Sequence, residues 1–72
     1  MADGVSVSIE GLTNRESEIL RAIAQGLSAK EVAKQLNIAP RTVERHIDHI
    51  RLKTRTRNRS HMVAFAIANG LV

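Results

Sequence analysis

Arg41, Thr42, Glu44, Arg45, Asp48 and His49 are six polar side chains within one short segment, each able to hydrogen-bond to a base edge or a phosphate. An arginine offers two parallel N–H donors that match the O6 and N7 acceptors of guanine; Arg45 suits that role, and Arg41 suits it or a phosphate. Glu44 and Asp48 only accept when ionised. They can take a hydrogen bond from cytosine N4, or hold Arg41, Arg45 and Arg51 in position through i to i+3 pairs and exclude wrong bases by repulsion. Directly downstream, RLKTRTRNR at 51–59 carries Arg51, Lys53, Arg55, Arg57 and Arg59. Cations at a helix C-terminus contribute only tenths of a kcal/mol each, about 0.3–1 kcal/mol. Five in succession exceed what that effect requires, and their expected task is to grip phosphates flanking a groove. Ser28 and Lys30 open another helix, whose free backbone N–H groups can hold a further phosphate.

The elements that must position these groups are legible from helix punctuation. Thr13 with Glu16, and Ser28 with Glu31, have the spacing of capping boxes. The first predicts a helix with Ile19, Leu20, Ile23 and Leu27 inward and Gly26 as its stop; the second predicts a short helix, AKEVAKQL, with the stripe Val32, Ala33 and Leu36. Asn37-Ile38-Ala39 reads as a tight turn, and Pro40 suits the first position of a third helix that buries Val43, Ile47 and Ile50. Residues 28–47 thus have the spacing of a helix-turn-helix, with Ala33 small enough for the two helices to approach.

Asn58 caps a fourth helix, from about Arg59 to Asn69, before Gly70. Its segment Met62–Ala68 is apolar around nearly the whole circumference, whereas a surface helix needs one apolar face. The core is expected to take Val63, Ala66 and Ile67, leaving Phe65 with Met62 or Leu71 for another partner. Two readings stand: a helix fully wrapped by the other three, or a self-association face that Ala64 and Ala68 allow to approach closely. Residues 1–10, MADGVSVSIE, alternate like a strand without a visible partner and read as a flexible tail or linker remnant, so the domain is expected over 11–72.

Composition narrows the function classes. A chain of 72 residues with no cysteine is one small domain without a disulfide framework or thiolate zinc site, and it fits a reducing cytoplasm. The net charge of +4 conceals an asymmetry: residues 1–40 carry −1 and residues 41–72 carry +5. A one-sided excess suits a surface that meets phosphate. No apolar run spans a bilayer, and the basic stretch lacks the bulky anchors of a membrane-surface helix. Phe65 is the one aromatic residue, too few for readers that stack single-stranded bases. His46, Asp48 and His49 share a helix but lack a third nitrogen or thiolate ligand, so no metal is expected. A Gly-rich phosphate loop and an activated nucleophile are also missing, and neither an enzyme nor a cofactor is expected.

The ordered combination LTNRESEIL, AQGLSAKEVAKQLNIAPRTVERHI, then Lys53 and Asn58-Arg59 before an apolar helix resembles the DNA-binding domain of the LuxR/FixJ family of bacterial transcription regulators, from Leu12 to Val72. The resemblance implies an all-α, four-helix domain with a central helix-turn-helix, winged-helix-like but without a wing. It implies a third helix in the major groove of double-stranded DNA and two copies pairing through the fourth helix on a two-fold-symmetric operator. Base contact would fall to Arg41, Glu44, Arg45 and Asp48. Phosphate contact would fall to Lys30, Thr42 and Lys53; Ser28, His49, Arg51, Arg55, Arg57 and Arg59 complete the phosphate set expected of this domain. The dimer surface expected on the fourth helix comprises Met62, Phe65, Ala68, Asn69 and Leu71, and RNA polymerase is a further expected partner at the nucleoid.

The chain departs from the pattern in two places. Ala39 stands where many members have a capping Ser or Thr, a loss of about 1 kcal/mol, and acids stand at reading positions where Lys is frequent. Members usually carry an upstream receiver or sensing domain, so the chain is expected to be an effector domain or a short stand-alone regulator. A sigma-factor-like promoter reader shares the helix-turn-helix and the LT-x-RE opening; a module that only pairs with and silences a related activator is the rival of another class.

Overall fold

The computed structural model describes residues 11–72; the alternating segment at 1–10 lies outside the described residues. The chain forms α1 (Asn14–Ala24), α2 (Ala29–Leu36), α3 (Pro40–Thr54) and α4 (Arg59–Ala68), with no strand among the described residues.

Both capping boxes form. The Thr13 hydroxyl accepts from Glu16 N at 3.1 Å while Thr13 N donates to Glu16 Oε1 at 3.0 Å. Ser28 and Glu31 repeat the exchange at 3.1 and 2.8 Å. Each pair satisfies two N–H groups that a helix start otherwise leaves unbonded. Ala39 makes no side-chain cap, and α3 opens instead on the preset backbone of Pro40. Asn58 caps α4 by accepting from His61 N at 2.8 Å.

The helix exits need a residue in the left-handed region. Gly26 and Gly70 supply it after α1 and α4, and Asn37 does so after α2 with φ 58°. After α3 the position falls to Arg55, with φ 57°, a conformation that costs any residue with a Cβ.

Leu12, Ile19, Leu20, Val32, Val43, Ile47 and Ile50 are fully or almost fully buried in one core shared by all four helices. Burying each such aliphatic side chain contributes about 1.5–3 kcal/mol. The third helix packs against each of the other three, most closely against α2, where Ala33 is 3 % exposed and allows the close crossing. The three-residue turn Asn37–Ala39 therefore holds α3 across α2 as a helix-turn-helix.

The rotation of α4 differs from the sequence expectation. Met62 is 0 % exposed and belongs to the core, whereas Ile67 is 62 % exposed. Met62 and Ala66, one turn apart, define the buried line, with Val63 and Phe65 half-buried on its flanks. Ile67 follows Ala66 by one residue and is carried around the helix to the outside. Met62 is thus removed from the expected partner surface, and Ile67 joins Ala64 and Ala68 on the outward face. Leu71 is partly buried against the core, and its N–H closes the α4 terminus on Ala66 O at 2.8 Å. The Asn69 amide donates to Phe65 O at 2.8 Å, so it serves its own helix.

Candidate nucleic-acid interface

Arg41, Arg45, Asp48 and Leu52 recur at spacings of four, three and four, so they form the outer row of α3, opposite Val43, Ile47 and Ile50. Arg41 and Arg45 are exposed, and neither guanidinium has a partner among the described residues. Thr42 is half-buried on one flank, and His49, seven residues on and so two turns along that flank, is exposed. Leu52, which sequence reasoning left unassigned, is 76 % exposed one turn beyond Asp48. The signal for it was present: it continues the row that Arg41 begins.

The two acids are engaged. Glu44 Oε1 accepts from Arg59 Nη2 at 2.7 Å, linking α3 to the first residue of α4. Asp48 Oδ1 lies 3.6 Å from Arg51 Nη1, an i to i+3 pair of the kind expected. Glu44 pairs across elements rather than with Arg41, because packing brings the start of α4 to its flank.

The basic stretch separates into tied and free members. Lys53 turns toward α1, donating to Glu16 Oε1 at 2.7 Å and to Gly11 O at 3.2 Å. Lys53, expected to grip phosphate, is thus paired within the fold, where its charge compensates Glu16, which is 4 % exposed. Burial acts to raise the Glu16 pKa, but the Lys53 ammonium and the Thr13 donors outweigh it and hold the carboxyl below its ordinary value. Arg51 also turns inward, donating through Nη2 to Arg57 O, with its Nε buried and unpartnered. Arg55 and Arg57 are exposed, and their guanidinium groups have no partner among the described residues.

The loop carrying them is preorganised. Thr54 donates to Ile50 O at 2.8 Å, so its oxygen accepts from Thr56, 3.0 Å away, and both hydroxyls are buried. Arg57 N donates to His61 Nδ1 at 3.1 Å while Arg57 O receives Arg51. The backbone of Arg57 is thereby held on both sides, and its side chain is left to solvent.

At the start of α2, Lys30 is exposed and unpaired among the described residues, but the capping box engages Ser28 N and Glu31 N. A phosphate there is left the N–H groups between them. Among the described residues no three His, Cys, Asp or Glu side chains gather as a metal site, and no described helix is long and apolar enough to cross a membrane.

A short helix, a three-residue turn and a longer helix with a bare arginine row define a helix-turn-helix domain. Residues 10–66 match the family model of bacterial regulatory proteins, luxR family, and the chain belongs to that family. It is 40% identical over 60 residues to the probable transcriptional regulator ycf29 of Cyanophora paradoxa, covering 83% of this chain and 29% of that protein. It is 35% identical over 69 residues to the transcriptional regulatory protein FixJ of Rhizobium meliloti, covering 96% of this chain and 34% of that one. The chain thus spans about a third of the length of these two curated relatives. Among solved structures, VqmA of Vibrio cholera in a complex with ligand and DNA superposes with a TM-score of 0.81 at 24% identity, over 99% of this chain and 30% of that one, which shows a shared fold.

Proposed function

We propose that this domain binds double-stranded DNA sequence-specifically on behalf of a transcription regulator, with α3 in the major groove and two copies pairing through the outward face of α4. The reading rests on one observation: Arg41 and Arg45 are unpaired on the outer row of α3, and the next free guanidinium groups, Arg55 and Arg57, project from the rigid loop that follows it. Arg41 and Arg45 read base edges; Arg55 and Arg57, with Lys30, hold phosphates and set the register. The acids do not oppose entry into an anionic groove, because Arg59 and Arg51 neutralise them. That arrangement favours DNA binding over a module that only silences a partner. The pairing face is Ala64, Ile67 and Ala68, bordered by Phe65 and Leu71. In the cell the domain works on cytoplasmic DNA, with RNA polymerase as its downstream partner.

The test is selection from a randomised duplex library at near-physiological salt. An enriched two-fold-symmetric motif supports the reading in full; a lone half-site retains α3 and removes the α4 pairing. Retention without enrichment sinks sequence recognition. With the motif in hand, Arg45→Ala should cost about 1–3 kcal/mol on the selected site and relax one base position. Equal losses on selected and random duplex would remove Arg45 from the reading set.

A further inference from the structure

Glu44 is one of two acids on a helix whose outward arginines are proposed above to serve an anionic ligand, and it is the better fixed of the two. Its Oε1 receives Arg59 at 2.7 Å, whereas Asp48 stands 3.6 Å from an arginine already committed to a loop carbonyl. Folding does not account for the Glu44–Arg59 pair. The side chains retain 50% and 44% of their exposure, and exposed pairs add little to stability. The pair does fix the carboxylate in direction. With Oε1 occupied, Oε2 is left without a partner among the described residues, on the flank of α3 one turn from both Arg41 and Asp48.

We propose that Glu44 and Arg59 form one reading unit: Arg59 steadies the carboxylate, and Glu44 selects a base that offers an exocyclic amino group in the major groove, cytosine N4 or adenine N6. The inference rests on α3 entering the groove, as proposed above. A carboxylate only accepts hydrogen bonds, so an amino group satisfies it, while guanine O6, guanine N7 and thymine O4 face it lone pair to lone pair. Arg59 lowers the repulsion that a bare carboxylate would meet between phosphates. One of its five N–H groups is used, so the others can take an adjacent phosphate oxygen without releasing Glu44. Arg59 is thus a positioning residue, and Glu44 touches the base.

The experiment compares the intact chain with Glu44→Ala and Arg59→Ala in the randomised-duplex selection, each variant first shown to melt at the wild-type temperature. Wild type should prefer C or A over G or T about tenfold at one position in each half-site. Glu44→Ala should flatten that position to under about twofold and leave the rest of the motif. Arg59→Ala should weaken the same preference severalfold, which loss of a phosphate contact alone would not do. An unchanged motif for Glu44→Ala overturns the assignment while leaving DNA reading intact. A uniform affinity loss for Arg59→Ala, with the Glu44 position still discriminating, breaks the unit. If wild type enriches no motif, the DNA reading fails first, and the inference falls with it.

Discussion

Arg55 occupies a backbone position that two of the other three helix exits give to glycine. Its φ of 57° and ψ of 44° cost a residue bearing a Cβ about 1 kcal/mol, and its exposed guanidinium recovers nothing from the fold. Strain retained without a structural return points to a task elsewhere, and the phosphate grip proposed for Arg55 is such a task. Arg55→Gly should therefore raise unfolding free energy in urea by about 0.5–1 kcal/mol. The same variant should weaken binding to selected and random duplexes alike and reduce the salt slope by about one unit. A stabilised variant with undiminished DNA affinity would show that the arginine is incidental.

Two contacts, one local and one between elements distant in sequence, set how the end of α3 meets its neighbours. The buried Thr54 hydroxyl relays between Ile50 O and Thr56, locking the end of α3 to the loop. Thr54→Val should cost about 1–3 kcal/mol, because it leaves the Thr56 hydroxyl buried and unpaired. Thr56→Val should cost less, since Thr54 keeps its bond to Ile50 O, and the double variant should fall short of the sum in denaturant melts. The Lys53–Glu16 pair ties α3 to the start of α1. Its folded-state carboxyl pKa is depressed, so its stabilisation is fully present above the ordinary value of 4.5 and is lost as pH falls through the depressed pKa. Lys53→Met should destabilise at neutral pH, and the gap from wild type should narrow as pH is lowered from about 5 to about 2. A gap constant across that range would mean that the pair is not what the substitution removes.

At the scale of the whole molecule, α3 exposes the arginine row, the loop after it exposes Arg55 and Arg57, and α4 exposes Ala64, Ile67 and Ala68. Small residues beside a single large exposed one permit close helix approach with a specific apolar contact. Ile67→Glu should leave the melting temperature within the range of surface substitutions, because the side chain is 62 % exposed. It should convert binding of a two-fold-symmetric site to binding of single half-sites, read as a loss of the slower band in gel shifts. Retained paired binding would place the interface elsewhere.

Much of this was legible in the chain itself, because it depends on neighbours within about one helical turn. Capping boxes at Thr13 and Ser28, the left-handed Asn37, Pro40 at the head of α3 and the buried spacing of Val43, Ile47 and Ile50 are local geometry, and each forms as read. The outward row with Arg41 and Arg45 follows from the same periodicity. Tertiary structure decided the rest. Which cations remain free depends on ion pairs such as Lys53–Glu16 and Arg59–Glu44, whose members are many residues apart. No spacing rule connects them, so a row of five equal charges in sequence becomes three tied, Arg51, Lys53 and Arg59, and two free, Arg55 and Arg57. The rotation of α4 was also undecided, because a segment apolar on every side carries no amphipathic signal. Packing against α1 and α3 chose Met62 and Ala66 for the core and turned Ile67 outward.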